Sequence, residues 1–166
     1  MNYFKNFREL RIGLLKKENI FYLILIIFIF LFDRFSKSII INDFSDSTYY
    51  LNNYANLDLI WNSGIGFGFL STNSSLTYNL VTLIIGLVLL FLIYIFVLSS
   101  RIDKIIYSII IGGGLGNFFD RLIYKAVPDF LDIHYENFHW FTFNVADIFI
   151  TLGIMIFILR SFLAQN

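Results

Sequence analysis

The chain has 166 residues, of which 58% are hydrophobic, 20% aromatic and only 14% charged, against about 25% charged in an ordinary soluble domain. Twelve basic residues balance twelve acidic ones, so the charge pattern indicates no nucleic-acid partner. The absence of cysteine excludes disulfides, a thiolate metal site and a cysteine nucleophile.

This composition predicts a single integral membrane domain over residues 1–166. Residues 1–19 form a basic tail carrying Lys5, Arg8, Arg11, Lys16 and Lys17. The apolar run behind it is too long for a signal-peptide core, and no small-residue cleavage site follows, so it is read as a retained first span. Phe4, Phe7, Leu10 and Leu14 recur at helical spacing among the basic residues; an interfacial amphipathic helix and a frayed tail both fit.

Four apolar segments, near 20–41, 76–98, 105–127 and 142–163, each reach the roughly 20 residues that cross about 30 Å of hydrocarbon as a helix. The expected fold is therefore an all-α membrane protein with four transmembrane helices. Lys and Arg concentrate in the tail, at Arg101 and Lys104, and at Arg160, while the 42–75 and 128–141 loops have none. The positive-inside rule then puts both termini in the cytoplasm. The long 42–75 loop carries short apolar alternations, Tyr49–Leu51 and Leu57–Trp61, expected to pair as a small extracytoplasmic β-like cradle. Trp61, Phe67 and Phe69 suit the membrane interface.

Ionisable groups at membrane depth are costly and therefore functional candidates. The chain places Asp33, Asp120, Asp129, Asp132 and Asp147 within or beside apolar sequence. Asp33 and Lys37, four apart, predict an ion pair on one helix face, read as a stapled helix end; a lysine base is the alternative, although the adjacent Ser36 points elsewhere. Asn62 through Gly68 surrounds a polar, aromatic turn with three glycines, Gly64 among them, which allow close backbone approach to a ligand. Gly112, Gly113, Gly114 and Gly116 imply tight packing of the third helix or a kink in it. Asn117, Asp120 and Arg121 then share one helical turn, where they are expected to form one structural or substrate-positioning network.

Pro128 disfavours helical geometry before it, so the third helix should stop near Val127, leaving Asp129 just beyond its end. Asn144 and Asp147 open the fourth span with the spacing of a helix cap. Asp129 and Asp147 thus lie at one face of the bilayer. Two close carboxylates share a proton, so that one activates water while the other polarises a carbonyl. His134, Glu136 and His139 lack the helical spacing of a His-Glu-x-x-His metal site and read as interfacial polar residues. No Gly-x-Ser-x-Gly elbow or phosphate-binding loop occurs.

In combination, Asp33-Arg34-Phe35-Ser36-Lys37, the Asn62–Gly68 loop, Gly113 through Arg121, Val127-Pro128-Asp129-Phe130 and Phe143-Asn144-Val145-Ala146-Asp147 resemble the lipoprotein signal peptidase (signal peptidase II) family of bacterial inner-membrane aspartyl proteases. The resemblance implies that Asp129 and Asp147 are the catalytic pair. It implies further that Asn62, Gly64, Asn117, Arg121 and Asn144 lie near the substrate, with Asp33, Lys37 and Asp120 in support. The implied activity is cleavage of diacylglyceryl-modified prolipoproteins on the N-terminal side of the lipidated cysteine. It would be carried out by a monomer in contact with membrane lipid, at an extracytoplasmic site, with no metal or cofactor. The chain departs from the family pattern at Ile65 and Gly66 (commonly alanine), Pro128 (commonly valine) and Arg34 (commonly uncharged). A small transporter or assembly subunit with a buried charge relay is the competing class.

Overall fold

The computed structural model describes residues 17–45, 47–64, 75–136 and 138–163. The readings on the 3–15 helix, on Ile65, Gly66, Phe67, Gly68 and Phe69 lie outside these residues. After a short 3-10 turn at Lys17–Asn19 come α1 (Ile20–Asp43), β1 (Tyr49–Asn52), β2 (Ala55–Asn62), α2 (Ser75–Leu98), α3 (Arg101–Ile123), β3 (Val127–Tyr135), β4 (Phe138–Phe143) and α4 (Val145–Leu163).

The helices are inside-out relative to a soluble bundle. Leu80, Leu83, Leu87, Leu90 and Phe91 of α2 are exposed, whereas charged Asp33, Lys37, Asp120 and Arg121 are buried. Among the described residues, α2, α3 and α4 are long and apolar enough to cross a membrane. At 24 residues α1 matches them in length, but Asp33, Arg34 and Lys37 in its second half set it apart from the four equivalent spans expected. Its buried residues, Tyr22, Ile29, Asp33, Lys37 and Ile40, follow spacings of seven, four, four and three, which is one helical stripe.

That stripe faces α3, which packs against α1, α2 and α4. Its glycines make this possible. A Cβ on Gly116 would stand 2.4 Å from Asp33 Oδ2 on α1, and one on Gly113 would stand 2.6 Å from the Ala146 carbonyl oxygen on α4. Both contacts are shorter than any methyl tolerates, so the small residues set how closely the helices approach.

The third helix lies four residues earlier than the expected 105–127 at both ends. Ser100 caps its start, its side chain accepting from the Asp103 N–H. At its end, the Tyr124 N–H donates to the Asp120 carbonyl, and Lys125 adopts a left-handed conformation at φ 57°, the usual way a helix reverses. The chain is therefore extended before Pro128 is reached.

The four strands form one antiparallel sheet in the order β1-β2-β3-β4. The β1–β2 pairing agrees with the apolar alternations. The β3–β4 hairpin replaces what reads in the sequence as a plain loop, and it puts Asp129 on a strand rather than at a helix end. Pro128 pairs with Trp61 of β2, while β4 pairs with β3 only from Leu131 onward. Its missing N–H thus falls where β3 has a neighbour on one side only, the position a strand proline tolerates. A register shift in β2 between Leu57 and Ile60 precedes the Ile60–Asp129 pair.

A candidate carboxylate centre where sheet and helices meet

Asp129 is buried at 3% exposure. Its Oδ2 accepts from Asn62 Nδ2 at 2.8 Å and its Oδ1 from Asn144 Nδ2 at 2.6 Å. The strands supply both partners, since Asn62 ends β2 and Asn144 directly follows β4. Burial, and after it the charge of Asp147, pushes the Asp129 carboxyl up to about 6, against the two amide donors that favour ionisation.

Asp147 stands in the first turn of α4. The Asp147 N–H donates to Asn144 Oδ1 at 3.1 Å, and the Asn144 N–H donates to Asp147 Oδ2 at 3.1 Å. This is a reciprocal capping box. Asn144 therefore touches both carboxylates, with its amide nitrogen on Asp129 and its backbone on Asp147. The remaining Asp147 oxygen accepts from Asn117 Nδ2 at 2.8 Å.

Asn117 is fixed in turn by Lys37, whose ammonium donates to Asn117 Oδ1 at 2.8 Å, Asp33 Oδ2 at 2.9 Å and Asp120 Oδ2 at 2.7 Å. All three of its N–H donors are used. The second oxygen of Asp33 accepts from the Ala146 N–H at 3.0 Å, so α1 also holds the start of α4. Arg34, the family departure, places Nη1 2.5 Å from Asp120 Oδ1, a charge contact without hydrogen-bond alignment, and lies over the Phe119 ring at 5.1 Å.

Arg121 does not join Asp120 as expected. Successive helical residues project in different directions, and Arg121 reaches the Gly64 carbonyl. The Gly64 N–H donates to Asn62 Oδ1 at 2.8 Å, linking Arg121 through Gly64 and Asn62 to Asp129. Tyr78, which nothing in the sequence singles out, supports this side: its hydroxyl donates to the Arg121 carbonyl at 3.0 Å, and its ring lies 5.7 Å from the guanidinium.

Every residue singled out as a site or supporting residue thus belongs to one connected polar network, together with Arg34, Tyr78 and the Ala146 N–H. Asp132 stands outside it, 2.8 Å from His139 on the hairpin. Beside Asp147 opens a cavity of about 240 Å³ lined by Phe141, Phe143, Ile148, Thr151 and Leu152, so one carboxylate is adjacent to an apolar recess. Asp129 is buried and Asp147 partly buried, and amides brace both. Two neighbouring carboxylates that share a single proton are in the state in which one is a base and the other an acid.

Apolar helices, with two amide-braced carboxylates at one end beside a small sheet, define a helical membrane protein with a polar network inside it. The family model described as signal peptidase (SPase) II matches residues 25–163. A lipoprotein signal peptidase of Pelagibacter ubique is 43% identical over 147 residues, covering 87% of this chain and 89% of its own length. One from Blochmanniella pennsylvanica is 49% identical over 107 residues, covering 62% and 64%. Two solved structures described as bacterial membrane enzymes, determined in meso at 2.3 and 1.9 Å, superpose with TM-scores of 0.73 and 0.70. They show 26% and 25% identity, covering 87% and 84% of this chain and 89% and 91% of theirs. The chain belongs to the signal peptidase II family.

Proposed function

We propose that the protein is an aspartic endopeptidase that removes the signal peptide from diacylglyceryl-modified prolipoproteins, cutting on the N-terminal side of the lipidated cysteine. In this reading Asp147 takes a proton from water as the oxygen attacks the scissile carbonyl, and protonated Asp129 gives its proton to the carbonyl oxygen. Collapse of the tetrahedral diol breaks the C–N bond. The proton held by Asp147 passes to the departing cysteine amine, and the diol returns the other to Asp129 as the new carboxyl forms. Asn62, Gly64, Asn117, Arg121 and Asn144 brace the pair and face the substrate backbone; Asp33, Lys37 and Asp120 support them.

The observation that carries this reading is Asn144, whose bonds to both Asp129 and Asp147 make two carboxylates from different elements into one unit. The apolar recess at Asp147 suits a substrate whose signal helix and acyl chains remain in lipid. The same reading has α1 as a fourth span, both termini in the cytoplasm, and a monomer working at the extracytoplasmic face of the bacterial inner membrane. Against a transporter relay stands Lys37, whose three donors are all engaged by Asp33, Asn117 and Asp120.

The test is cleavage of a lipidated precursor by purified variants. Asp129→Asn and Asp147→Asn are each expected to reduce turnover by roughly 10²–10⁴-fold, the range for loss of a general acid or base, while the protein still folds in detergent. Full activity in either variant would refute the pair.

A further inference from the structure

Asp132, His134 and His139 share one face of the β3–β4 hairpin, apart from the carboxylate centre. Spacing along the sequence hides this, because two strands must pair before the ligands converge. Asp132 and His134 are two apart on β3, hence on the same side of the strand, and His139 on β4 is the register partner of His134. One ligand atom from each lies within 4.8 Å of the others. Asp132 Oδ2 is 2.8 Å from His139 Nδ1 and 3.6 Å from His134 Nδ1. A tetrahedral ion with bonds of 2.0–2.2 Å holds its ligand atoms about 3.3 Å apart, between these two distances.

A second observation points to a ligand. His134 is only 9% exposed, and its Nδ1 has no hydrogen-bond partner among the described residues, although burying such an atom unpaired is costly. It faces the Asp132 carboxylate from just beyond hydrogen-bond range. Asn56 of β2, paired with Asp132 in register, brings Nδ2 to 3.5 Å from Asp132 Oδ2, while its own Oδ1 is buried without a partner among the described residues. The two imidazoles stack with centroids 5.1 Å apart. The His139 side chain is 56% exposed, leaving a path to solvent.

We propose that Asp132, His134 and His139 form a binding site for a divalent transition metal of the zinc type, with a coordination position open to water, that clips β3 to β4. Two imidazoles and one carboxylate favour zinc, copper or nickel over calcium or magnesium, which prefer all-oxygen shells. Ligation gives the orphaned His134 nitrogen a partner and ties together the hairpin whose first strand carries Asp129.

The experiment uses full-length protein in detergent, freed of any affinity tag and stripped with a chelator. Zinc is titrated in competition with a chromophoric chelator, and cobalt(II) serves as a spectroscopic probe. One zinc per chain is expected, with a cobalt visible spectrum of low coordination number and a thermal midpoint that rises with zinc. His139→Ala, at a half-exposed position where folding is not at stake, is expected to weaken zinc binding at least tenfold. His134→Ala is expected to do the same and to lose the zinc-dependent rise in midpoint. Absence of stoichiometric zinc, an unchanged affinity in His139→Ala, or a cobalt spectrum identical to the aqua ion would overturn the site.

Discussion

At the scale of single residues, the carboxylate centre depends on how amides are distributed around two acids. Asp129 is buried beside Asp147, and its carboxyl is pushed up to about 6. It therefore holds its proton below about pH 6 and releases it above. If the proposed reaction needs that proton, kcat/KM, which reports the free enzyme, is expected to fall about tenfold per pH unit on the alkaline side of about 6. Rates on a lipidated precursor across pH 5–9 check this; a profile flat to pH 8 would contradict Asp129 as the proton donor. Since the charge of Asp147 is the second cause of the shift after burial, Asp147→Asn is expected to lower the Asp129 value, read by carbon-13 NMR of labelled aspartate carboxyls.

At the scale of elements, α3 is the hub, and its small residues hold the network in register. Gly116→Ala would drive a methyl to 2.4 Å from Asp33 Oδ2, displacing the carboxylate that anchors both Lys37 and the Ala146 N–H. A loss of about 1–3 kcal/mol, usual for overpacking, is expected as a lower thermal midpoint, together with slower cleavage. Gly86→Ala, whose methyl would meet the Phe118 ring at 3.2 Å, is expected to cost less; equal loss at both positions would show that crowding alone, and not the Asp33 contact, is decisive. The apolar runs announced the helices because hydrocarbon thickness fixes their length. The network residues were legible because charges in such runs are conspicuous. The β3–β4 hairpin was not: the reversals before β3 and at the hairpin tip use positive φ at Lys125 and Glu136, residue types that give no turn signal, so residues 128–141 read as a plain loop. For the same reason the convergence of His134 with His139 was invisible, and so was the divergence of Arg121 from Asp120, which depends on where Gly64 sits.

At the scale of the whole molecule, the carboxylate pair stands at the junction between lipid-suited helices and an aromatic-rich sheet. A substrate arriving sideways from the bilayer would keep its acyl chains in lipid and extend only its backbone toward Asp129 and Asp147. An unlipidated precursor would forgo about 0.8 kcal/mol for each methylene no longer buried. The expected outcome is at least a hundredfold preference, about 2.7 kcal/mol, for the lipidated precursor in kcat/KM. Equal turnover of the two forms would mean that the apolar recess beside Asp147 has no part in recognition.

The two bonds that make Asn144 the cap of α4 are also the bonds that present Asp147 to Asp129. Fraying of that first helical turn and disassembly of the proposed catalytic pair are therefore one event. The backbone amides of Asn144 and Asp147 become a gauge of readiness that needs no substrate: their hydrogen-exchange rates report the fraction of time the pair is unmade. Asn144→Asp, able to cap but without an amide to give Asp129, is expected to keep the exchange slow while cleavage is lost. Asn144→Ala is expected to speed exchange and abolish cleavage together.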